Sequence, residues 1–269
     1  MNREQLRRTA FFFDFDGTLS AIGPDPDKVG PVPDAPEALT ELAGRSGYCA
    51  VVSARPVAFL ARQFGGDGTG GGETASAESA SRTHIPELHG LYGLEFSADG
   101  GATVHTLPEA MPYRDVMREA VLDATRELPG ALIEDKGLSC AVHFRNTPDL
   151  GELVDEWVEQ YAHEHGLKVQ RGRMVVELKP PVQRDKGAVV REALAARPDL
   201  VGGWFFGDDL GDRPGFEALG ERAGQGPDFT AVRVAVANAE GDPLGDLADL
   251  MLAGPDEVPG LVRRLMREH

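Results

Sequence analysis

The sequence predicts a doubly wound α/β core built on a parallel sheet, with a smaller α+β domain inserted into it. Three observations carry that expectation. Short continuous apolar runs each stop at a polar, small or acidic residue, amphipathic helical patterns separate them, and a middle stretch switches to period-two alternation. A continuous apolar run suits a strand buried on both faces, and alternating strands and helices place a ligand site at the carboxyl ends of the strands.

In chain order, residues 10–13 lead into Asp14, residues 49–52 into Ser53, residues 204–206 into Gly207-Asp208-Asp209, and residues 232–237 into Asn238. Residues 250–252 form a last short run. Residues 36–43 and 187–196 read as helices, the second with Val189, Val190, Ala193 and Leu194 on one stripe. Between residues 108 and 181 the pattern changes. Val116, Met117, Ala120, Ala124 and Leu128 fall on one helical face, and Leu150, Val154, Trp157, Val158 and Tyr161 on another. Residues 137–145 then alternate, with Leu138, Cys140, Val142 and Phe144 inward and Ser139, Ala141, His143 and Arg145 outward. Residues 173–179 repeat the device, with Met174, Val176 and Leu178 inward and Glu177 and Lys179 outward. Half-buried alternation means an antiparallel sheet covered by helices on one side. The expected organisation is a core of residues 1–107 and 182–269 and an inserted domain of residues 108–181. Residues 65–83, dominated by Gly, Ser and Ala, are expected to form a flexible surface loop, because they offer little apolar surface to offset ordering.

Composition narrows the function. At 41% hydrophobic and 26% charged, the 269 residues are globular in type, which argues against a disordered chain. The 44 acidic residues exceed the 27 basic ones, for a net charge of −17, and no basic run interrupts them, which argues against nucleic acid as a partner. No apolar run approaches the roughly 18 residues of a membrane span. Phe11-Phe12-Phe13 is cut short by Asp14, too soon for a signal peptide, so the cytoplasm is the expected compartment. Cys49 and Cys140 lie inside apolar stretches without metal-type spacing and read as core packing.

Chemistry concentrates at the strand ends. In Asp14-Phe15-Asp16-Gly17-Thr18, two carboxylates spaced i, i+2 can address one site, one as nucleophile and the other as proton donor and then base. Gly207-Asp208-Asp209-Leu210-Gly211-Asp212 holds three acids within five residues, hard oxygen donors suited to Mg²⁺. Ser53, with Arg55 beside it, ends the second run, where a hydroxyl and backbone N–H groups can hold a phosphate oxygen. Lys186 opens a helical stretch and offers an ammonium to the same anionic region.

The order of these motifs resembles the haloacid-dehalogenase (HAD) superfamily of aspartyl-nucleophile phosphatases, with the insert in the position of that superfamily's second cap type. The segments Leu91-Tyr92-Gly93-Leu94-Glu95, Glu134-Asp135-Lys136-Gly137-Leu138-Ser139 through His143-Phe144-Arg145, and Val175-Val176-Glu177-Leu178-Lys179-Pro180 further resemble the trehalose-6-phosphate phosphatase family. The resemblance implies a Rossmann-like HAD core and a Mg²⁺-dependent hydrolase that converts trehalose 6-phosphate to trehalose and phosphate. It implies Asp14 as nucleophile, Asp16 as general acid and base, and Ser53 and Lys186 as phosphoryl holders. Asp14, the backbone carbonyl of Asp16, and Asp208 would bind the metal, with Asp212 further out. Arg55, Glu95, Lys136, His143, Arg145, Glu177 and Lys179 would meet the substrate, and a trehalose-phosphate synthase is the protein with which such a chain could associate. Two departures stand out. Ser53-Ala54-Arg55 replaces the usual Ser-Gly-Arg, so the turn must avoid positive φ at Ala54, and Arg213-Pro214-Gly215 replaces further acids after the metal loop. The competing readings are a phosphatase of the same superfamily for another sugar phosphate, and a non-catalytic sugar-phosphate sensor.

Overall fold

A computed structural model describes residues 1–23, 28–65, 84–238 and 244–267. The expected loop therefore lies, apart from Gly65, outside the described residues. The elements in chain order are α1 (Arg3–Leu6), β1 (Thr9–Phe13), α2 (Ala35–Ala43), β2 (Tyr48–Val52), α3 (Val57–Phe64), β3 (Glu87–Gly90), β4 (Glu95–Ser97), β5 (His105–Thr106), α4 (Arg114–Glu127), β6 (Leu132–Asp135), β7 (Cys140–His143), α5 (Gly151–His165), β8 (Lys168–Gly172), β9 (Val175–Lys179), α6 (Lys186–Ala195), β10 (Gly202–Gly207), α7 (Arg213–Gly224), β11 (Thr230–Val236), β12 (Leu250–Leu252) and α8 (Val258–Arg267). They fall into two compact units, residues 1–105 with 184–269, and residues 106–183.

The larger unit carries an eight-stranded sheet in the order β12-β11-β10-β1-β2-β3-β4-β5. It is parallel from β12 to β3, and β4 then pairs antiparallel with β3. The central strands β1 and β2 are buried at every position, which explains their unbroken apolar sequences. Phe11, Phe13, Val51 and Phe206 pack on one face with Leu39, Leu42, Leu60 and Val262 of α2, α3 and α8. Phe12, Ala50, Val52 and Phe205 pack on the other with Val189, Val190 and Leu194 of α6 and Phe216 and Leu219 of α7. Each α-helix thus sets an apolar stripe against one sheet face, and the polar strand ends stay clear. Asp185 caps α6, accepting a hydrogen bond from the Ala188 N–H at 2.7 Å, a contact worth about 1 kcal/mol.

The smaller unit is a four-stranded antiparallel sheet, β6-β7-β9-β8, with α4 and α5 packed on it. Met117, Ala120, Ala124, Val154 and Val158 of the helices meet Cys140, Val142, Val176 and Leu178 of the strands. Met174 departs from its expected inward place. It sits in the β8–β9 turn with φ of 64° and is only half buried, because the chain reverses there before the alternation begins at Val175. Both cysteines are buried and unpaired, and burial pushes the Cys140 thiol up to about 12. No helix among the described residues is long and apolar enough to cross a membrane.

Candidate active site

The parallel pairing of β1 with β10 sets Phe13 opposite Phe206, so Asp14 and the Gly207-Asp208 loop leave the sheet side by side. The Asp14 N–H donates to the Phe206 carbonyl at 2.9 Å and continues the ladder by one residue. Gly17 completes the turn at φ +82°, and a Cβ there would lie 1.9 Å from Asp208 Oδ2. Only glycine lets the two acidic loops approach so closely. From the opposite side, α6 and α7 meet through Gly187, whose Cβ would come within 2.4 Å of the Pro214 carbonyl. That close packing brings Lys186 to the cluster. Its Nζ lies 2.6 Å from Asp14 Oδ1 and 2.7 Å from Asp212 Oδ1.

Asp14, Asp208 and Asp212 are all buried, and one carboxylate oxygen of each lies within 4.8 Å of the others. Burial, reinforced by Asp212, pushes Asp14 well above the usual carboxylate range despite the opposing pull of Lys186. Burial and Asp212 raise Asp208 to about 7, against a hydrogen bond from Asn238 that lowers it. Asp212 is raised chiefly by burial, with Lys186 opposing. Burial draws the Lys186 ammonium down, but Asp14, Asp212 and Asp209 together outweigh it and hold the group well above its ordinary value. Three buried carboxylates thus share one ammonium.

This donor set fits a hard divalent cation, which takes oxygen ligands and would supply the missing positive charge. The members differ in freedom. Asp212 is already engaged at both oxygens, Oδ1 by Lys186 and Oδ2 by the N–H groups of Asp208 and Asp209 at 3.0 and 3.3 Å. Asp208 receives Asn238 Nδ2 at 2.6 Å and the Thr18 hydroxyl at 3.4 Å. Asn238 and Thr18 were not among the residues singled out from sequence for the site. Both stood in view, Asn238 as the polar stop of an apolar run and Thr18 as the end of the first motif, but their partner is 30 residues away in one case and 190 in the other.

Ser53 is buried at the end of β2, and its Oγ accepts from the Arg55 N–H at 3.1 Å. Ala54 is not among the residues with positive φ, so the turn avoids the conformation that alanine resists. The Arg55 guanidinium faces Asp16, with Nε to Oδ2 and Nη2 to Oδ1 both at 2.8 Å. The Asp16 carboxylate is accordingly turned to Arg55 and is not a member of the three-carboxylate group. Glu95 is buried at the start of β4 and accepts from the Val57 N–H at 3.2 Å, serving the amino end of α3.

The remaining sequence-selected residues lie in the smaller unit, taken here by itself. Along β7 and β9 the register sets Ala141 against Glu177, and Glu134 of β6 against Ala141. Glu177 Oε1 accepts from the Ser139 hydroxyl at 2.6 Å and lies 3.4 Å from Lys136 Nζ. Glu134 Oε2 lies 2.9 Å from His143 Nε2 and 3.7 Å from Lys136 Nζ. Lys179 Nζ donates to Gln170 Oε1 at 2.9 Å, and burial lowers that lysine's pKa despite Glu177. Lys136, His143 and Glu177 are therefore joined on one sheet face, and Glu134, unselected from sequence, is the residue that ties His143 to Lys136. Arg145 lies just past β7 and makes none of these contacts.

Residues 12–242 match the family model described as trehalose-phosphatase. The chain belongs to the trehalose-phosphatase family. Members of the wider comparison include a trehalose-phosphate phosphatase of Mycobacterium tuberculosis, 31% identical over 97% of this chain and 62% of that protein. An uncharacterized glycosyl hydrolase of the same organism is 35% identical over 87% of this chain but 16% of its own length. The chain thus spans under two thirds of these relatives. Among solved structures, a trehalose-6-phosphate phosphatase related protein superposes with a TM-score of 0.72 at 19% identity, covering 95% of this chain and 96% of that one, a likeness of fold. The HAD-like core with an inserted cap is the architecture shared across these structures, among them a haloacid dehalogenase-like hydrolase from Bacteroides thetaiotaomicron with a TM-score of 0.60 at 17% identity, covering 96% of this chain and 99% of that one.

Proposed function

We propose that this chain is a phosphoric monoester hydrolase that converts trehalose 6-phosphate to trehalose and phosphate through an aspartyl phosphate on Asp14. The observation that carries the reading is the buried group of Asp14, Asp208 and Asp212 around Lys186 at the carboxyl ends of β1 and β10. Buried carboxylates in that excess suit a site built to receive a cation and a phosphoryl group together. Membership of the trehalose-phosphatase family and the named activity of the mycobacterial relatives support the choice of sugar.

Asp14, the carbonyl of Asp16 and Asp208 would hold Mg²⁺, with Asp212 behind them. When bound, the cation offsets the repulsion between an anionic nucleophile and an anionic ester. In the first step, Asp14 attacks phosphorus in line with the sugar oxygen. The bond from phosphorus to that oxygen breaks, and Asp16 delivers its proton to the departing alcohol. In the second step, Asp16 takes a proton from water as the water oxygen bonds to phosphorus and the Asp14–phosphorus bond breaks. Lys186, its ammonium kept charged by its neighbours, stabilises the charge on the phosphoryl oxygens, and Ser53 holds one of them. Lys136, His143 and Glu177, with Glu134, would read sugar hydroxyls.

Phosphate release with Mg²⁺ from trehalose 6-phosphate, beside glucose 6-phosphate, sucrose 6-phosphate and 4-nitrophenyl phosphate, tests the proposal. A strong preference for the first is expected. Equal turnover of all four would keep the phosphatase and overturn the sugar. Binding of trehalose 6-phosphate without release would turn the reading to a sensor.

A further inference from the structure

We propose that Arg55 is a positioning residue that orients the Asp16 carboxylate for proton transfer, and that it does so as part of a clamp with Phe59. The inference rests on the phosphatase reading above, which gives Asp16 its task. Asp16 stands in a loop with its side chain about a third exposed, so its rotamer is held less by core packing than those of the buried Asp14 and Asp208. Arg55 supplies the constraint. Its two parallel hydrogen bonds, both 2.8 Å, set the plane of the carboxylate as well as its position.

The guanidinium is itself held. It lies over the Phe59 ring at 4.7 Å from the centroid, with its side chain only 12% exposed. Phe59 is buried on α3 and meets Phe15 edge-on at 5.3 Å, and Phe15 is the residue between Asp14 and Asp16. Contacts therefore close a ring from the first motif through Phe15, Phe59 and Arg55 back to Asp16. The Arg55 N–H on Ser53 Oγ ties the same arginine to the end of β2. A guanidinium turned edge-on to Asp16 and stacked on an aromatic ring is well placed to orient that acid. A planar fork is needed for this, which a lysine ammonium lacks.

The test compares Arg55→Ala, Arg55→Lys and Phe59→Leu with the unaltered chain. On trehalose 6-phosphate, Arg55→Ala should lower kcat about a hundredfold with KM changed less than about threefold. Arg55→Lys should keep the charge yet lose about tenfold in kcat, and Phe59→Leu should fall a few-fold. Guanidinium ion added to Arg55→Ala should restore part of kcat. Losses should be smaller on 4-nitrophenyl phosphate, whose leaving group needs no proton. A tenfold rise in KM at constant kcat would make Arg55 a substrate contact and overturn the proposal, as would full activity in Arg55→Ala. Equal losses on both esters together with a lowered Tm would overturn it in favour of a structural role. A crystal structure of Arg55→Lys decides the point without turnover: Asp16 should leave its orientation while Asp14 and Asp208 keep theirs, and an unmoved Asp16 would refute the clamp. If the unaltered chain releases no phosphate from any ester, the phosphatase reading fails, while the crystallographic arm still judges the clamp.

Discussion

In the core, three buried carboxylates gather beside a single ammonium, which pairs with two of them, whereas on the inserted sheet Glu134 and Glu177 meet Lys136, His143 and Ser139 in one network. The first group is left buried with an excess of carboxylates, and burial shifts those carboxyl groups above their usual range. The second is half buried, and each of its carboxylates already has side-chain partners within reach. The difference separates two ways of meeting a ligand. An uncompensated cluster gains by taking up a cation, because the ion replaces protons that burial had forced on. A satisfied network gains only by exchange, one hydroxyl for one side-chain partner, which favours selectivity over strength.

The comparison breaks most severely at its centre. Asp14→Asn should abolish phosphate release, by on the order of 10⁴-fold or more, because the motif's other carboxylate, Asp16, is held by Arg55 outside the three-carboxylate group, and steady-state kinetics measure it directly. Full turnover in that variant would end the aspartyl mechanism. Next is Gly17→Ala, whose methyl group would enter the space of Asp208 Oδ2 at a φ that alanine disfavours. Activity should drop about a hundredfold or more, with Tm lowered as the loops part, and a variant of native Tm and activity would show that the approach is not required. Substitution on the inserted sheet should act more gently. Glu177→Gln keeps the shape but weakens the hold on Ser139 and Lys136, and should raise KM for trehalose 6-phosphate about tenfold, with a smaller effect on 4-nitrophenyl phosphate. Equal effects on both esters would deny the sheet face a part in reading the sugar.

The smallest effect sharpens the electrostatic contrast. Asp208 has a folded value of about 7 against an ordinary 3.8, so the folded protein binds the extra proton between those limits. Its contribution to stability is present at low pH and is lost as pH rises through about 7. Mg²⁺, which needs the ionised carboxylate, should therefore raise Tm by about 5 °C at pH 8 and by little at pH 5.5. An increment that does not vary with pH would separate the cation from Asp208.

Much of the core was legible because its signals are local. Residues 10–13 and 49–52 are apolar without break, and their strands are buried at every position. The period-two stretch around Cys140 likewise announced β7, but of its expected outward residues Ser139 and Ala141 are buried, and only the face beyond them, at His143 and Arg145, is open. By contrast β3, with mixed burial, and β6, without a buried residue, carry weak patterns and were not singled out. Glu95 shows the same limit for function: no local pattern could announce its hydrogen bond from the Val57 N–H, 38 residues distant.

The sequence alone settled the order of motifs, the residue types available to chemistry and the alternation of strand and helix, because each depends on neighbours along the chain. Only the tertiary structure decided which acids gather in one buried group and which acid pairs with Arg55. Asp14 reaches Asp208 and Asp212 through the pairing of β1 with β10, while Asp16, two residues on, turns to Arg55. Spacing could not separate these fates, because they are set by burial and by partners that only folding brings within a few ångströms.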